Sequence, residues 1–251
     1  MIDPQQRRLA AAALAVAGEH GFALAGGLAL AAHGVGARPS DDIDLFTANT
    51  DPAAFTAAVD AVQDTFARNG WAVEDHRRGP LYARLIVEVD PGQRYELDLA
   101  VDYRAHPPVA VADLGPVLDV ADAVGSKMTA LYGRGEVRDY VDVRETVVSG
   151  RYTREQVLGL ADDREVHPLD RAVLAQRLAQ AARIPDRELV AYLTAEDAAE
   201  LRAWFTTWAA DIREVAPPAA SVVIDPRGPQ QVAPIEPLLP PPTPTDYGPS
   251  L

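Results

Sequence analysis

The sequence predicts an α+β protein: a mixed α/β sheet domain at residues 1–118, a helical domain at 119–215 and a proline-rich tail at 216–251. Three observations carry that prediction. Up to Val101, short apolar runs alternate with helical stretches, and two of the runs flank the hairpin signal Asp90-Pro91-Gly92-Gln93. From Asp119 the chain reads as successive helices with polar starts. From Ala216, Pro217-Pro218, Pro226, Pro229 and the run Pro240-Pro241-Pro242 break helix and sheet ladder alike.

Each element has its own signal. Pro4 to Glu19 is Ala-rich, with Asp3 as N-cap and Gly21 near the stop. Phe22 to Ala25 reads as a strand, Gly26 to His33 as a short helix and Asp42 to Phe46 as a second strand. Asp51-Pro52 opens a helix that closes at Asn69-Gly70, with proline in the first turn and glycine at the end. Trp71 to Glu74 reads as an edge strand, and Leu81 to Val89 and Arg94 to Val101 as the hairpin. After Pro107-Pro108, Val117-Leu118 is a short extended piece. The expected helices then run from Asp119 to Tyr132, Asp139 to Ser149, Thr153 to Leu160, Asp170 to Arg183, Asp186 to Tyr192 and Ala195 to Ile212. The tail reads as polyproline II or unstructured chain despite Val222-Val223-Ile224, and is expected to pack against nothing.

Composition narrows the function classes. The chain has 251 residues, 48% hydrophobic and 24% charged, which suits one or two globular domains. Without cysteine there is no disulfide framework, thiolate metal site or thiol nucleophile. The apolar stretch Ala10 to Ala17 is too short to span a bilayer, so a cytoplasmic protein with no membrane partner is expected. A formal net charge of -14 argues against a general electrostatic grip on nucleic acid, but not against a local basic patch. The five histidines have no metal-ligand spacing, and Ser40 and Ser126 have no triad partners.

The chemistry is concentrated between Gly26 and Leu45. A Gly26-Gly27 pair precedes Arg38-Pro39-Ser40-Asp41-Asp42-Ile43-Asp44-Leu45. On a strand, Asp42 and Asp44 point to the same face. Two carboxylates that close are costly to bury without a compensating cation. A pair of Mg²⁺ ions with a triphosphate compensates them, because Mg²⁺ takes a few carboxylates together with phosphate oxygens. The two glycines let backbone N–H groups come close to such phosphates. Arg38 is placed to contact phosphate or to pair with Asp42, and Ser40 lies on the same nucleotide-binding loop.

This Gly-Gly…Asp-x-Asp order resembles the nucleotidyltransferase superfamily, the fold of DNA polymerase beta. A second segment narrows the resemblance. Lys127, Ala130, Leu131 and Arg134 recur at helical spacing, followed by Arg138-Asp139 and Asp142-Val143. The block is similar to the closing motif of the AbiEii-type nucleotidyltransferase toxins, with Val143 where leucine is usual. The two motifs span about Phe22 to Val143.

The resemblance implies a third carboxylate on a strand beside the Asp-x-Asp strand. Glu96, Asp98 and Asp102 share one face of such a strand, and Asp98, between apolar neighbours, is the choice for metal ligand and base. It further implies transfer of a nucleoside monophosphate from an NTP to an acceptor hydroxyl, with two Mg²⁺ held by Asp42, Asp44 and Asp98. Lys127, at a helix start, would reach the triphosphate, and Asp142 would orient Lys127 or the base; Arg138 next to Asp139 reads as a surface ion pair. The expected acceptor is the 3′ end of tRNA, a protein hydroxyl or a small molecule, with a winged-helix antitoxin as partner. Two other readings stand beside this one. An aminoglycoside-type nucleotidyltransferase suits the acidic charge, and a non-catalytic module would keep the fold and bind nucleotide without transferring it.

Overall fold

The sheet is built outward from its most apolar strands. The computed structural model describes residues 2–36 and 38–215; the expectations for the tail at 216–251 lie outside the described residues. Strands β1 (Ala23–Leu24), β2 (Asp42–Thr47), β3 (Ala72–Arg78), β4 (Tyr82–Asp90), β5 (Gln93–Val101), β6 (Val109–Val111) and β7 (Gly115–Val117) form one mixed sheet in the order β3-β4-β5-β2-β1-β7-β6. β2 runs parallel to β5 and antiparallel to β1. The parallel register sets Asp42 beside Glu96 and Asp44 beside Asp98.

Period-two alternation decides the faces. Ile43, Leu45 and Thr47 are buried, while Asp42, Asp44 and Phe46 lie on the opposite, less buried side. Ala83, Leu85 and Val87 of β4 and Leu97 and Leu99 of β5 continue the core. The edge strand β3 is longer than Trp71 to Glu74 suggests, and its residues after Val73 are all exposed. A polar, exposed edge hides a strand from apolar pattern and also blunts unwanted pairing.

Helices α1 (Pro4–Ala17) and α3 (Pro52–Arg68) pack against each other. Asp3 caps α1 by accepting from the N–H groups of Gln5 and Gln6. Leu9, Ala13 and Leu14 from α1, and Phe55, Val59, Val62 and Phe66 from α3, enter the core. Phe22 meets Phe55 at 5.7 Å between ring centroids. The short α2 (Gly26–Ala32) links β1 to the loop before β2. Its end is tied down by His33, whose Nε2 lies 2.7 Å from the Leu118 carbonyl.

The helical part comprises α4 (Val120–Gly133), α5 (Val137–Val148), α6 (Arg154–Asp162), α7 (Arg171–Ala179), α8 (Asp186–Leu189) and α9 (Ala195–Val215). Its core is aromatic: Tyr140 of α5 meets Phe205 of α9 edge-on at 5.0 Å. Leu201, Phe205, Trp208 and Ile212 give α9 one buried face at helical spacing. The structure corrects two boundaries here. The helix expected from Asp170 to Arg183 tightens into a 3₁₀ turn at Gln180–Arg183, and the one expected to reach Tyr192 stops at Leu189. The strand β6 was not expected; it is three residues long and follows two prolines. The described residues fall in one compact unit, and α4 touches both α2 and α6. Among the described residues no helix is long and apolar enough to cross a membrane.

The α4–α6 contact depends on Gly125. A Cβ at this position would lie 2.6 Å from the Leu160 carbonyl oxygen, a backbone atom that cannot rotate away. Gly125→Ala gains about 1 kcal/mol in helix propensity and loses roughly 1–3 kcal/mol to overpacking. The clash wins, so urea unfolding is expected to show a net destabilisation; equal or greater stability would show that α4 and α6 separate freely.

Candidate active site

The acidic strand ends against the start of α2. Gly26 has φ of 60°, and a Cβ there would sit 1.8 Å from the Asp44 Oδ2. Only glycine leaves room for that carboxylate and tolerates that backbone. Gly27 is less tightly placed: a Cβ there would lie 3.0 Å from both the Arg38 guanidinium and the Ser40 hydroxyl. Ser40 donates to the Asp42 carbonyl at 3.2 Å, which shapes the turn into β2.

The acids differ in their partners. Asp42 is ion-paired with Arg138 of α5, whose Nε also donates to Glu136 at 2.8 Å. Asp98 accepts two hydrogen bonds from Arg84 at 2.7 and 2.6 Å, and a third from the Tyr82 hydroxyl at 3.2 Å. Arg84 also reaches Glu96 at 3.0 Å. Asp44 makes no side-chain hydrogen bond or ion pair among the described residues. Burial pushes its carboxyl above the usual carboxylate range; Lys127 opposes this, and the charges of Asp98 and Asp42 add to it.

Behind the acids lies a buried ion cluster centred on Asp142. Arg38 donates to both Asp142 oxygens, Nε at 2.6 Å and Nη2 at 2.8 Å. Lys127 Nζ is 2.9 Å from Asp142 Oδ2 and 3.9 Å from Asp139 Oδ1. Burial alone would push the Asp142 carboxyl up, but Lys127 and Arg38 together hold it below the usual range. Asp139 is fully buried; it accepts two hydrogen bonds from Arg134, both at 3.0 Å, and one from the Glu136 backbone N–H.

The structure thus brings together Gly26, Gly27, Arg38, Ser40, Asp42, Asp44, Asp98, Lys127 and Asp142. Three placements differ from expectation. Lys127 lies mid-helix in α4 rather than at a helix start, and it is buried. Arg38 pairs with Asp142, not Asp42. Arg138 spans to Asp42 rather than pairing with its neighbour Asp139, because successive helix residues point in different directions. Sequence reasoning did not pick out Tyr82, Arg84 or Tyr192. Arg84 faces Asp98 across the β4–β5 hairpin, and Tyr192 lies under the Arg38 guanidinium at 5.6 Å.

The donor chemistry suits a divalent cation. Asp44 is an unpartnered carboxylate with Asp42 and Asp98 as like-charged neighbours, and hard oxygen donors suit Mg²⁺. Among the described residues no three such side chains are arranged around a common point. Two of the acids are turned to arginines instead.

The two shifted acids should respond oppositely to substitution. Asp44 is raised, so its ionised form strains the cation-free protein above its folded pKa. Asp44→Asn is therefore expected to raise the melting temperature at pH 7, with the gain shrinking as pH falls toward about 4. Asp142 is lowered, so its stabilisation is present above the unfolded value of about 3.9 and is lost as pH falls through its folded pKa. Asp142→Asn strands two buried cations and is expected to cost about 3 kcal/mol or more at pH 7. Melting curves across pH in chelator check both signs; a stabilising Asp142→Asn would refute the cluster's role.

Among solved structures the chain is similar to MenT4, a nucleotidyltransferase toxin from Mycobacterium tuberculosis H37Rv, at 17% identity and a TM-score of 0.55. That match covers 84% of this chain and 86% of MenT4. JHP933 from Helicobacter pylori matches at 18% identity and a TM-score of 0.46, over 85% of this chain and 96% of that one. The antibiotic-resistance factor ANT(2'')-Ia matches at 19% identity and a TM-score of 0.42, over 64% of this chain and 92% of its own. At these identities the likeness to MenT4 shows a shared fold. A search among curated proteins finds no match. The model of the nucleotidyl transferase AbiEii toxin family, Type IV toxin–antitoxin system, matches residues 7–226, and the chain belongs to that family of nucleotidyltransferases.

Proposed function

We propose that this nucleotidyltransferase moves a nucleoside monophosphate from an NTP to an acceptor hydroxyl, with Asp42, Asp44 and Asp98 as its acids. The observation that carries the reading is Asp44: a raised, unpartnered carboxyl with two like-charged neighbours, and with the buried Lys127 as the charge that opposes its shift most. In this reading the sheet domain, 1–118, supplies the acids and the helical domain, 119–215, supplies the lysine. Family membership sets aside a non-catalytic module.

The acceptor oxygen attacks the α-phosphorus, the bond to the β-phosphate oxygen breaks, and pyrophosphate leaves. Bound Mg²⁺ at Asp42 and Asp44 would neutralise the phosphates and stabilise the leaving oxygen. The hydroxyl proton passes to Asp98. Arg84 fixes this carboxylate, and its bond from Tyr82, the longest of the three, is the one a hydroxyl displaces. Lys127 presents a compact charge to the triphosphate while Asp142 holds it in place. The Gly26-Gly27 backbone lies close enough to β2 for its N–H groups to meet phosphate oxygens.

For the acceptor, the toxin family favours a macromolecule, tRNA or protein, with a winged-helix antitoxin as the partner that restrains the enzyme. The formal net charge of -14 is the observation that favours a cationic small molecule of the aminoglycoside kind as the second reading.

Labelled NTPs offered with total tRNA, total protein and an aminoglycoside panel separate these acceptors. Label is expected on tRNA or protein, dependent on Mg²⁺. Asp42→Asn and Asp44→Asn should each lower the rate by about a hundred- to a thousandfold, the scale of losing one preorganised electrostatic stabiliser. Lys127→Ala should do likewise, and Lys127→Arg should recover part, because a planar fork does not replace a point charge. Full transfer by either aspartate variant would refute the metal role.

A further inference from the structure

A cleft of about 510 Å³ opens beside the start of α5, lined by Arg138, Gln180, Arg183, Ile184, Pro185 and Tyr192 among others. Its size is that of a small-molecule site. Two of its residues belong to the ion network of the acids. Arg138 is the counter-ion of Asp42. Tyr192 carries the Arg38 guanidinium, and Arg38 holds Asp142, which holds Lys127. Arg138 therefore links the two places: it lines the cleft and pairs with the acid Asp42.

The partners of Arg138 make it an exchangeable group. Its side chain is 25% exposed and binds Asp42 and Glu136 only through guanidinium contacts, so rotation about its own bonds frees it. A cation that takes Asp42 displaces it. Glu136 remains beside it, and an anion that enters between Asp42 and the cleft can take the place Asp42 held. Arg183, which has no ion pair among the described residues, lies on the same wall.

Building on the proposed transfer reaction, we infer that Arg138 masks Asp42 in the free chain and turns to the triphosphate when a divalent cation takes Asp42. The base of that nucleotide lies in the cleft against Tyr192. The arrangement couples the two ligands: each removes the partner that opposes the other. The flat apolar walls, Tyr192, Ile184 and Pro185, suit a nucleobase, and the arginines suit its phosphates.

Calorimetry on the full chain tests this, with Mn²⁺ alone and with the α,β-methylene triphosphates of the four common nucleosides in the presence of Mn²⁺. Arg138→Gln is expected to bind Mn²⁺ roughly three- to tenfold more tightly, and the triphosphate analogue more weakly by a similar factor, the scale of one partly exposed ion pair. Arg138→Lys should fall between these and the parent, and it serves where the glutamine variant does not fold. Tyr192→Leu should weaken the analogue roughly three- to tenfold with Mn²⁺ affinity unchanged, while Tyr192→Phe retains both. A merely structural Arg138 would lose both affinities together, so unchanged or weaker Mn²⁺ binding in both Arg138 variants overturns the exchange. Unchanged analogue binding in Tyr192→Leu overturns the base site. A parent chain that binds neither probe refutes the underlying reaction; a parent that binds both, with unaltered variants, refutes only this inference.

Discussion

The Asp142 carboxylate is the interaction on which the site depends. It joins three segments far apart in sequence: Arg38 in the loop before β2, Lys127 in α4, and α5 through its own backbone. A buried ion pair does not gain much over an apolar contact, because desolvation offsets most of the attraction. Its value is positional. Two cations and one carboxylate in low dielectric have few satisfactory arrangements, so the cluster fixes where α4 and α5 sit against the acidic strand. Thr146 donates to the Asp142 main-chain carbonyl at 2.8 Å, a bond within α5.

From this constraint the electrostatics of the acids follow. Lys127 is held by Asp142, yet its field is the largest one that favours ionised Asp44. One lysine therefore serves Asp142 by contact and Asp44 by field. Asp42 and Asp98 are compensated locally by Arg138 and Arg84, and Asp44 has no counter-ion in contact among the described residues. The α2 turn completes the geometry from the other side, since any side chain at Gly26 would occupy the Asp44 position.

Much of this was legible in the sequence, for definite physical reasons. The Asp-x-Asp strand, the Gly-Gly turn and the Lys…Asp-x-x-Asp helices are short-range patterns, and short-range patterns survive in a linear reading. Asp98 was legible because strand alternation put it on one face of β5 with Glu96, between apolar neighbours; the parallel register with β2 then sets it beside Asp44. Arg84 was not. An unbulged hairpin closed by Asp90 and Gln93 would set Leu99 opposite Arg84, and the irregularity between Glu88 and Asp90 shifts the pairing so that Asp98 faces it. Tyr192 was hidden for a different reason: its place under Arg38 joins residues with no shared periodicity, so only tertiary structure reveals it.

The excess of acid has a narrower meaning once the ion pairs are seen. Arginines on the surface are largely engaged: Arg78 with Asp60 and Asp75, Arg94 with Glu74, Arg144 with Glu200, Arg154 with Asp211. An arginine committed to a carboxylate offers little to a phosphate, and affinity for a polyanion grows with the number of phosphates neutralised. The charge of the chain therefore bears on how much of an acceptor it grips, more than on which class of acceptor it takes. A nucleic acid would be held at its end, by a cation near the cleft such as Arg183, which has no ion pair among the described residues, and its body would be repelled by the remaining acids. A cationic acceptor would meet a net attraction. The same net charge thus sets opposite demands on the two acceptor classes, and the cleft, where Arg138 and Arg183 stand beside Glu136 and Glu188, is where they diverge.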